Sequence, residues 1–207
     1  IRPQGAQVTH DRGAGAGDEV VPARPEQALR VVPRRADQGD AAGERLGNVA
    51  AGLEKSGAEC VLICTNTMHL VADAVQAAVK APLLNIIDET AREIFAAGKR
   101  RPHLLATRYT MEQDFYVGRL REKHGLTVLV PDGPGRTLVH DVIYKELVRG
   151  VINPVSKKAY LDAIDELTGR GAQGVIAGCT EIELLIEEAD LSVPLFPTAR
   201  LHAEAAV

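Results

Sequence analysis

Tryptophan is absent from this 207-residue chain, and aromatic residues make up only 3% of it. A core must therefore be packed from Ala, Val, Leu and Ile; with hydrophobic residues at 45%, there is enough of that material to fold. An excess of positive charge is lacking too. The formal net charge is −4, which argues against a nucleic-acid surface. No stretch approaches the roughly 20 apolar residues of a membrane span. No apolar signal segment opens the sequence, so a cytoplasmic location without membrane partners is the expectation. Cysteine is scarce: three residues make a poor disulfide framework in that compartment and leave buried or reactive thiols. The six histidines show no HExxH- or CxxC-type spacing, so no metal site is expected.

What is present is a repeated phrase. Gly57-Ala58-Glu59-Cys60-Val61-Leu62-Ile63-Cys64-Thr65-Asn66 is echoed by Gly171-Ala172-Gln173-Gly174-Val175-Ile176-Ala177-Gly178-Cys179-Thr180-Glu181. Each runs from Gly-Ala through a short apolar stretch to Cys-Thr and an amide or acid. A short apolar run bounded by glycine and polar residues predicts a buried strand. Cys-Thr then falls at the strand's C-terminal end, where open α/β sheets place their ligands. Two such elements suggest a duplicated α/β unit bringing two thiols to one cleft. Facing thiols suit removal of a proton from one side of a carbon and its return to the other.

The rest of the pattern is α/β as well. Residues 1–38 stand apart: across residues 1–45 there are seven arginines, four prolines and six glycines, and the first lysine is Lys55. That stretch is expected to be irregular. Order is expected from Asp40, with a helix to Ser56 turning Leu46, Val49, Ala50 and Leu53 inward. A strand over 59–64, a helix over 67–79, a strand over 83–87 and a helix over 88–98 capped by Asp88 complete the first half. The second half reads as a strand over 103–106, a helix over 110–124 capped by Thr110 with Met111, Phe115 and Leu120 inward, and a strand over 127–130. A turn at 132–135, helices over 137–149 and 154–170, strands over 174–178 and 193–196, and a final helix from Thr198 follow. Alternation of strands and helices predicts parallel sheets with right-handed crossovers.

Cys64 and Cys179 are the candidate reactive groups. A free thiol has a reference pKa of about 8.5, lowered near a helix N-terminus. Both lie between a strand end and a predicted helix start, where unpaired N–H groups can hold a carboxylate. Thr65, Asn66, Thr67, Thr180 and Glu181 add hydroxyl, amide and acid groups. The plain alternative is a pair of buried strand cysteines, which the shared Cys-Thr context disfavours; Cys60 lacks that context and is expected mid-strand in the core. Thr107-Arg108-Tyr109-Thr110-Met111, after the predicted 103–106 strand, is a third candidate segment. His69 and His202 invite a Cys–His reading, but a surface or packing role is the plainer account of each.

At these residues the chain resembles the aspartate/glutamate racemase superfamily, and within it the broad-specificity, cofactor-independent amino-acid racemases. The matching stretches are Cys64 to His69, Thr107 to Tyr116, Gly178 to Ile182 and Leu201 to Val207. The resemblance covers about residues 40–207. It implies two pseudo-symmetric α/β domains, over 39–98 and 99–197, with the active site between them and a C-terminal helix over 198–207 returning to the first. It implies a small amino-acid substrate, a homodimer, and Cys64 and Cys179 as the acid/base pair without pyridoxal phosphate. By carry-over, Thr65, Asn66, Thr67, Thr110 and Thr180 would bind the substrate's carboxylate and ammonium groups, with Thr107 and Glu181 beside them.

There are departures. Residues 1–38 carry nothing like the family's first strand and Gly-rich loop, and Pro197 stands where relatives usually have Asp. Aspartate-specific relatives often have lysine in place of Val148, which favours the broader-specificity branch. The N-terminal segment is expected to be a shifted reading of a GC-rich gene, the alternative being a divergent but genuine extension. Alongside racemisation, two readings stay open: a decarboxylase or cis–trans isomerase of the same superfamily, and a non-catalytic remnant.

Overall fold

The computed structural model describes residues 36–207. Residues 1–35, with the frame-shift expectation placed on them, lie outside the described residues. Helix α1 spans Ala36–Lys55, so helix begins before Asp40 and takes in the end of the segment expected to be irregular. Its inward stripe is Gly43, Gly47 and Ala50; Val49 and Leu53, expected inside, are exposed. The reason is close approach. A Cβ on Gly43 would come within 2.9 Å of Ala74 Cβ, and one on Gly47 within 3.0 Å of Ala78 Cβ. A seam of small residues lets α1 lie flat on the next helix, which larger side chains would prevent.

Strand β1 (Val61–Leu62) pairs in parallel with β2 (Leu83–Leu84). Between them run a 3₁₀ turn over Thr67–Val71 and helix α2 (Ala72–Ala77). Met68, Val71, Ala72 and Val75 are all buried, as their helical spacing predicts. Cys60 lies ahead of β1 and is half-buried, not a mid-strand core residue. Helix α3 covers Ile86–Ala96 and is capped by Asn85, whose side chain accepts from the Ile87 N–H at 3.0 Å. Asp88, the expected cap, sits inside the first turn instead. There it accepts from Arg119, Lys123 and His124, at 2.7 to 2.8 Å. The negative charge suits a helix N-terminus, and the three partners tie α3 to the helix packed on it.

A second sheet holds β3 (His103–Leu105), β4 (Val175–Ala177) and β5 (Leu195–Pro197), all parallel, with β4 in the centre. Pro197 is tolerated because β5 is the outer strand. The expected strand at 127–130 is reduced to a single bridge between Leu129 and His103. The expected 110–124 helix is two helices, α4 (Arg108–Glu112) and α5 (Asp114–Glu122), broken where Gln113 turns extended. Thr107, not Thr110, stands at the N-cap of α4. Tyr116, rather than Phe115, is the fully buried aromatic of α5. The expected turn at 132–135 is the start of α6 (Gly133–Lys145): the Asp132 side chain caps it by accepting from the Gly135 N–H at 2.8 Å. A 3₁₀ turn over Leu147–Arg149, then α7 (Pro154–Gly169) and α8 (Thr198–Glu204), complete the order.

Apolar side chains form two cores. The smaller one gathers Ala50, Val61, Ile63, Met68, Val71, Ala72, Val75 and Val79. The larger runs from Ile86 to Phe196 and includes the buried face of α3. Helix α8 lies against α3 and β5, and His202 of α8 donates to the Leu84 carbonyl at 2.8 Å. The C-terminal helix thus clasps the end of β2. Among the described residues no helix is long and apolar enough to cross a membrane.

Candidate active site

Both Cys-Thr phrases behave alike. β1 and β4 each end just short of a cysteine, and each cysteine is followed by a 3₁₀ turn, Thr67–Val71 after Cys64 and Thr180–Leu184 after Cys179. Such turns leave their first N–H groups without intrahelical partners. Gly178 fits a crowded place before Cys179: a Cβ there would stand 2.5 Å from Leu104 Cδ1, 3.1 Å from Ala106 Cβ and 3.2 Å from the Leu105 carbonyl oxygen.

The two loops meet at one cavity of about 340 Å³. Of the expected site residues, Cys64, Thr65, Asn66, Thr67, Thr107, Cys179, Thr180 and Glu181 line it. Thr110 does not; it is fully buried behind the wall. Its hydroxyl lies 3.0 Å from that of Thr67 and 3.2 Å from that of Thr107, while Thr67 and Thr107 are 3.4 Å apart. Three hydroxyls in a ring can each donate once and accept once, so the cluster fastens the first Cys-Thr loop to α4. Met68, Ile143, Tyr144, Val148 and Gly178 complete the wall. Ile143 and Tyr144 belong to α6, far from either Cys-Thr phrase, and only an ordinary amphipathic pattern marked that helix.

His69 has a structural role. It is buried, and its Nδ1 donates to the Thr65 carbonyl at 2.8 Å while its Nε2 accepts from the Ile86 N–H at 3.1 Å. Those two partners fix a neutral ring with the proton on Nδ1. Burial drives its pKa down to about 4, consistent with that tautomer. Its ring meets that of His202 edge-on, with centroids 5.8 Å apart. Both histidines hold the backbone behind the cavity; neither is among the lining residues.

The two thiols differ. Cys64 is exposed, whereas Cys179 is partly covered and donates to Glu181 Oε2 at 2.9 Å. Burial, followed by the adjacent Glu181 carboxylate, pushes the Cys179 thiol well above its ordinary value. Both effects favour the protonated thiol over the thiolate. The Thr180 hydroxyl donates to the same Glu181 oxygen at 2.7 Å. Asn66 is 3% exposed; its Nδ2 donates to the Thr198 hydroxyl at 2.9 Å, and its Oδ1 has no partner among the described residues. Among the described residues no group of three or more His, Cys, Asp or Glu side chains could hold a metal ion.

The chain that carries this cavity has relatives of known family. The family model described as Asp/Glu/Hydantoin racemase matches residues 7–206. The chain belongs to that family. The match takes in most of the Arg- and Gly-rich segment expected to fall outside the resemblance. A crystal structure of a Yersinia pestis protein assigned to the Asp/Glu racemases is 47% identical, covering 88% of this chain and 77% of that one, with a TM-score of 0.80. An aspartate racemase homologue from Pyrococcus horikoshii OT3 is 36% identical over 83% of this chain and 75% of its own, with a TM-score of 0.75. The broad specificity amino-acid racemase RacX of Bacillus subtilis (strain 168) is 22% identical over 165 residues, 76% of this chain and 67% of RacX. RacX is by name an amino-acid racemase, an isomerase, and the family's two-domain α/β fold with parallel sheets flanked by helices is the fold found here.

Proposed function

We propose that the chain is a cofactor-independent racemase of aspartate, glutamate or a broader set of amino acids, with Cys64 and Cys179 as its acid/base pair. One observation carries the reading: two cysteines from different strand ends line a single small cavity. Racemisation needs a base and an acid on opposite faces of Cα. In one direction the Cys64 thiolate takes the Cα proton, the C–H electron pair passes to the substrate as a carbanion, and the Cys179 thiol returns a proton to the other face. Cys179, held protonated beside Glu181, suits the donor's part. The reverse reaction exchanges the roles.

Binding would use the polar walls. Free N–H groups at the two 3₁₀ turns, with Thr65, Thr67 and Thr180, suit the substrate carboxylate. The unpartnered Asn66 Oδ1 and the Glu181 carboxylate suit its ammonium group. The thiols supply both proton acceptor and donor, so the reading calls for no cofactor. A homodimer is part of the same proposal.

The test is chiral chromatography of a panel of L- and D-amino acids incubated with the protein, repeated with Cys64→Ser and Cys179→Ser. Inversion by the unaltered chain and none by either variant is the expected result. Full activity in either variant would rule out the two-cysteine scheme.

A further inference from the structure

The two cysteine loops come from different sheets, yet one short hydrogen-bonded chain joins them. Asn66 Nδ2, two residues beyond Cys64, donates to Thr198 Oγ1 at 2.9 Å. Thr198 Oγ1 in turn donates to the carbonyl of Ala177 at 2.8 Å. Ala177 is the last residue of β4, two residues before Cys179. Thr198 is fully buried at the first turn of α8, does not line the cavity, and touches neither thiol through these bonds. Its hydroxyl has one proton to give and lone pairs to accept, and both capacities are used. Because the chain is buried, water cannot replace either bond cheaply.

We propose that Thr198 is a positioning residue: its hydroxyl sets the separation of Cys64 and Cys179 by bridging the loops that carry them. The inference rests on the two-cysteine racemase reading. Proton delivery to both faces of one carbon is sensitive to that separation, since a displacement of about 1 Å can cost on the order of 100-fold in rate. α8 thereby gains a role beyond packing: it links the two halves of the reaction centre.

The consequence is specific. With the separation intact, a substrate carbanion formed at one cysteine is quenched by the other, so in D2O deuterium enters the inverted product first. With the bridge cut, one cysteine can still remove the Cα proton, exchange it with solvent and return a deuteron to the same face. Exchange without inversion then grows.

The experiment compares wild type, Thr198→Val and Thr198→Ser on a panel containing aspartate, glutamate, alanine, serine and methionine. Inversion is followed by chiral chromatography and Cα deuteration by mass spectrometry. Thr198→Val should lose roughly ten- to a hundredfold in kcat with KM within about threefold, and deuterium should appear in recovered substrate ahead of inversion. Thr198→Ser, which keeps the hydroxyl, should restore both readouts. If Thr198→Val fails to fold, Thr198→Ala removes the hydroxyl without adding bulk and is read in the same way. Wild-type kcat and labelling in the hydroxyl-free variant, or a kcat loss with an unchanged ratio of exchange to inversion, would overturn the inference while leaving the racemase reading intact. No inversion of any panel member by the wild type would instead overturn the racemase reading, and this inference with it.

Discussion

The Cys179 thiol donates to Glu181 Oε2 at 2.9 Å, and that carboxylate also accepts from Thr180. A thiol facing a carboxylate under cover of protein resists ionisation, because a thiolate there would be desolvated and repelled. Cys64, on the same cavity, is exposed. Alkylation by iodoacetamide at pH 8 should therefore mark Cys64 well before Cys179. Glu181→Gln removes the repulsion, so Cys179 should alkylate severalfold faster in that variant with Cys64 unchanged. Peptide mapping by mass spectrometry reads both sites. An unaltered Cys179 rate would show that cover alone, not Glu181, keeps the thiol protonated.

Two buried histidines give stability an acid limb. Burial lowers both His69 and His103 to about 4 from an ordinary value of 6.5. Their folded values lie below the unfolded one, so the unfolded chain binds more protons between those limits. The stabilisation is full above pH 6.5 and is lost as pH falls from there toward 4. Each group contributes at most about 3 kcal/mol across that window. Asp88, held far below the usual carboxylate range by Arg119, His124 and Lys123 against its own burial, extends the loss to lower pH. His103 is fully buried and both its ring nitrogens lack partners among the described residues. His103→Leu should therefore flatten the limb between pH 6.5 and 4 without loss at pH 8. Urea midpoints measured across that range check this, and an unchanged slope would count against it.

The α/β class and both cysteine loops were legible because their signals are local. A short apolar run, a bounding glycine and a Cys-Thr pair sit within about ten residues each time. Helix caps are less legible. Asp88 and Thr110 have the right chemistry for a cap, but Asn85 and Thr107 occupy those places, and the side chains at 88 and 110 serve long-range partners instead. The inward face of α1 is hidden from the sequence because Gly43 and Gly47 contribute by letting Ala74 and Ala78 approach, which no hydrophobicity pattern records. Thr198 reads in the sequence only as a helix start. Its partners, Asn66 and Ala177, lie far away in the chain and come together only in the fold.

Val148 lies on the cavity wall with Ile143 and Tyr144, and is 37% exposed. That wall is apolar, and Glu181 is the one ionisable carboxylate among the described lining residues. A substrate with a second carboxylate would meet no compensating charge from these groups. Val148→Lys adds a cation at the rim, where a partly screened pair is worth up to about 1 kcal/mol. The ratio of kcat/KM for aspartate to that for alanine should then rise by roughly fivefold. An unchanged ratio in the same two assays would mean that position 148 does not face the substrate side chain.

Gly178 offers the sharpest steric test of how the second loop is held. Its missing side chain is the space that Leu104 Cδ1 occupies, with Ala106 and the Leu105 carbonyl close behind. The Gly178 N–H also donates to that carbonyl at 2.8 Å, so the backbone cannot retreat without breaking a buried bond. Gly178→Ala is therefore expected to displace Leu104 and tilt the strand end that carries Cys179. Overpacking of this kind costs about 1 to 3 kcal/mol. The tilt moves Cys179 and leaves Cys64 in place, so the loss should divide unevenly. Urea denaturation should show the lower midpoint, Cys179 should lose its protection from alkylation, and Cys64 should keep its rate. Normal stability together with normal Cys179 protection would mean that the contact with Leu104 yields at no cost and that the glycine is not what seats the loop.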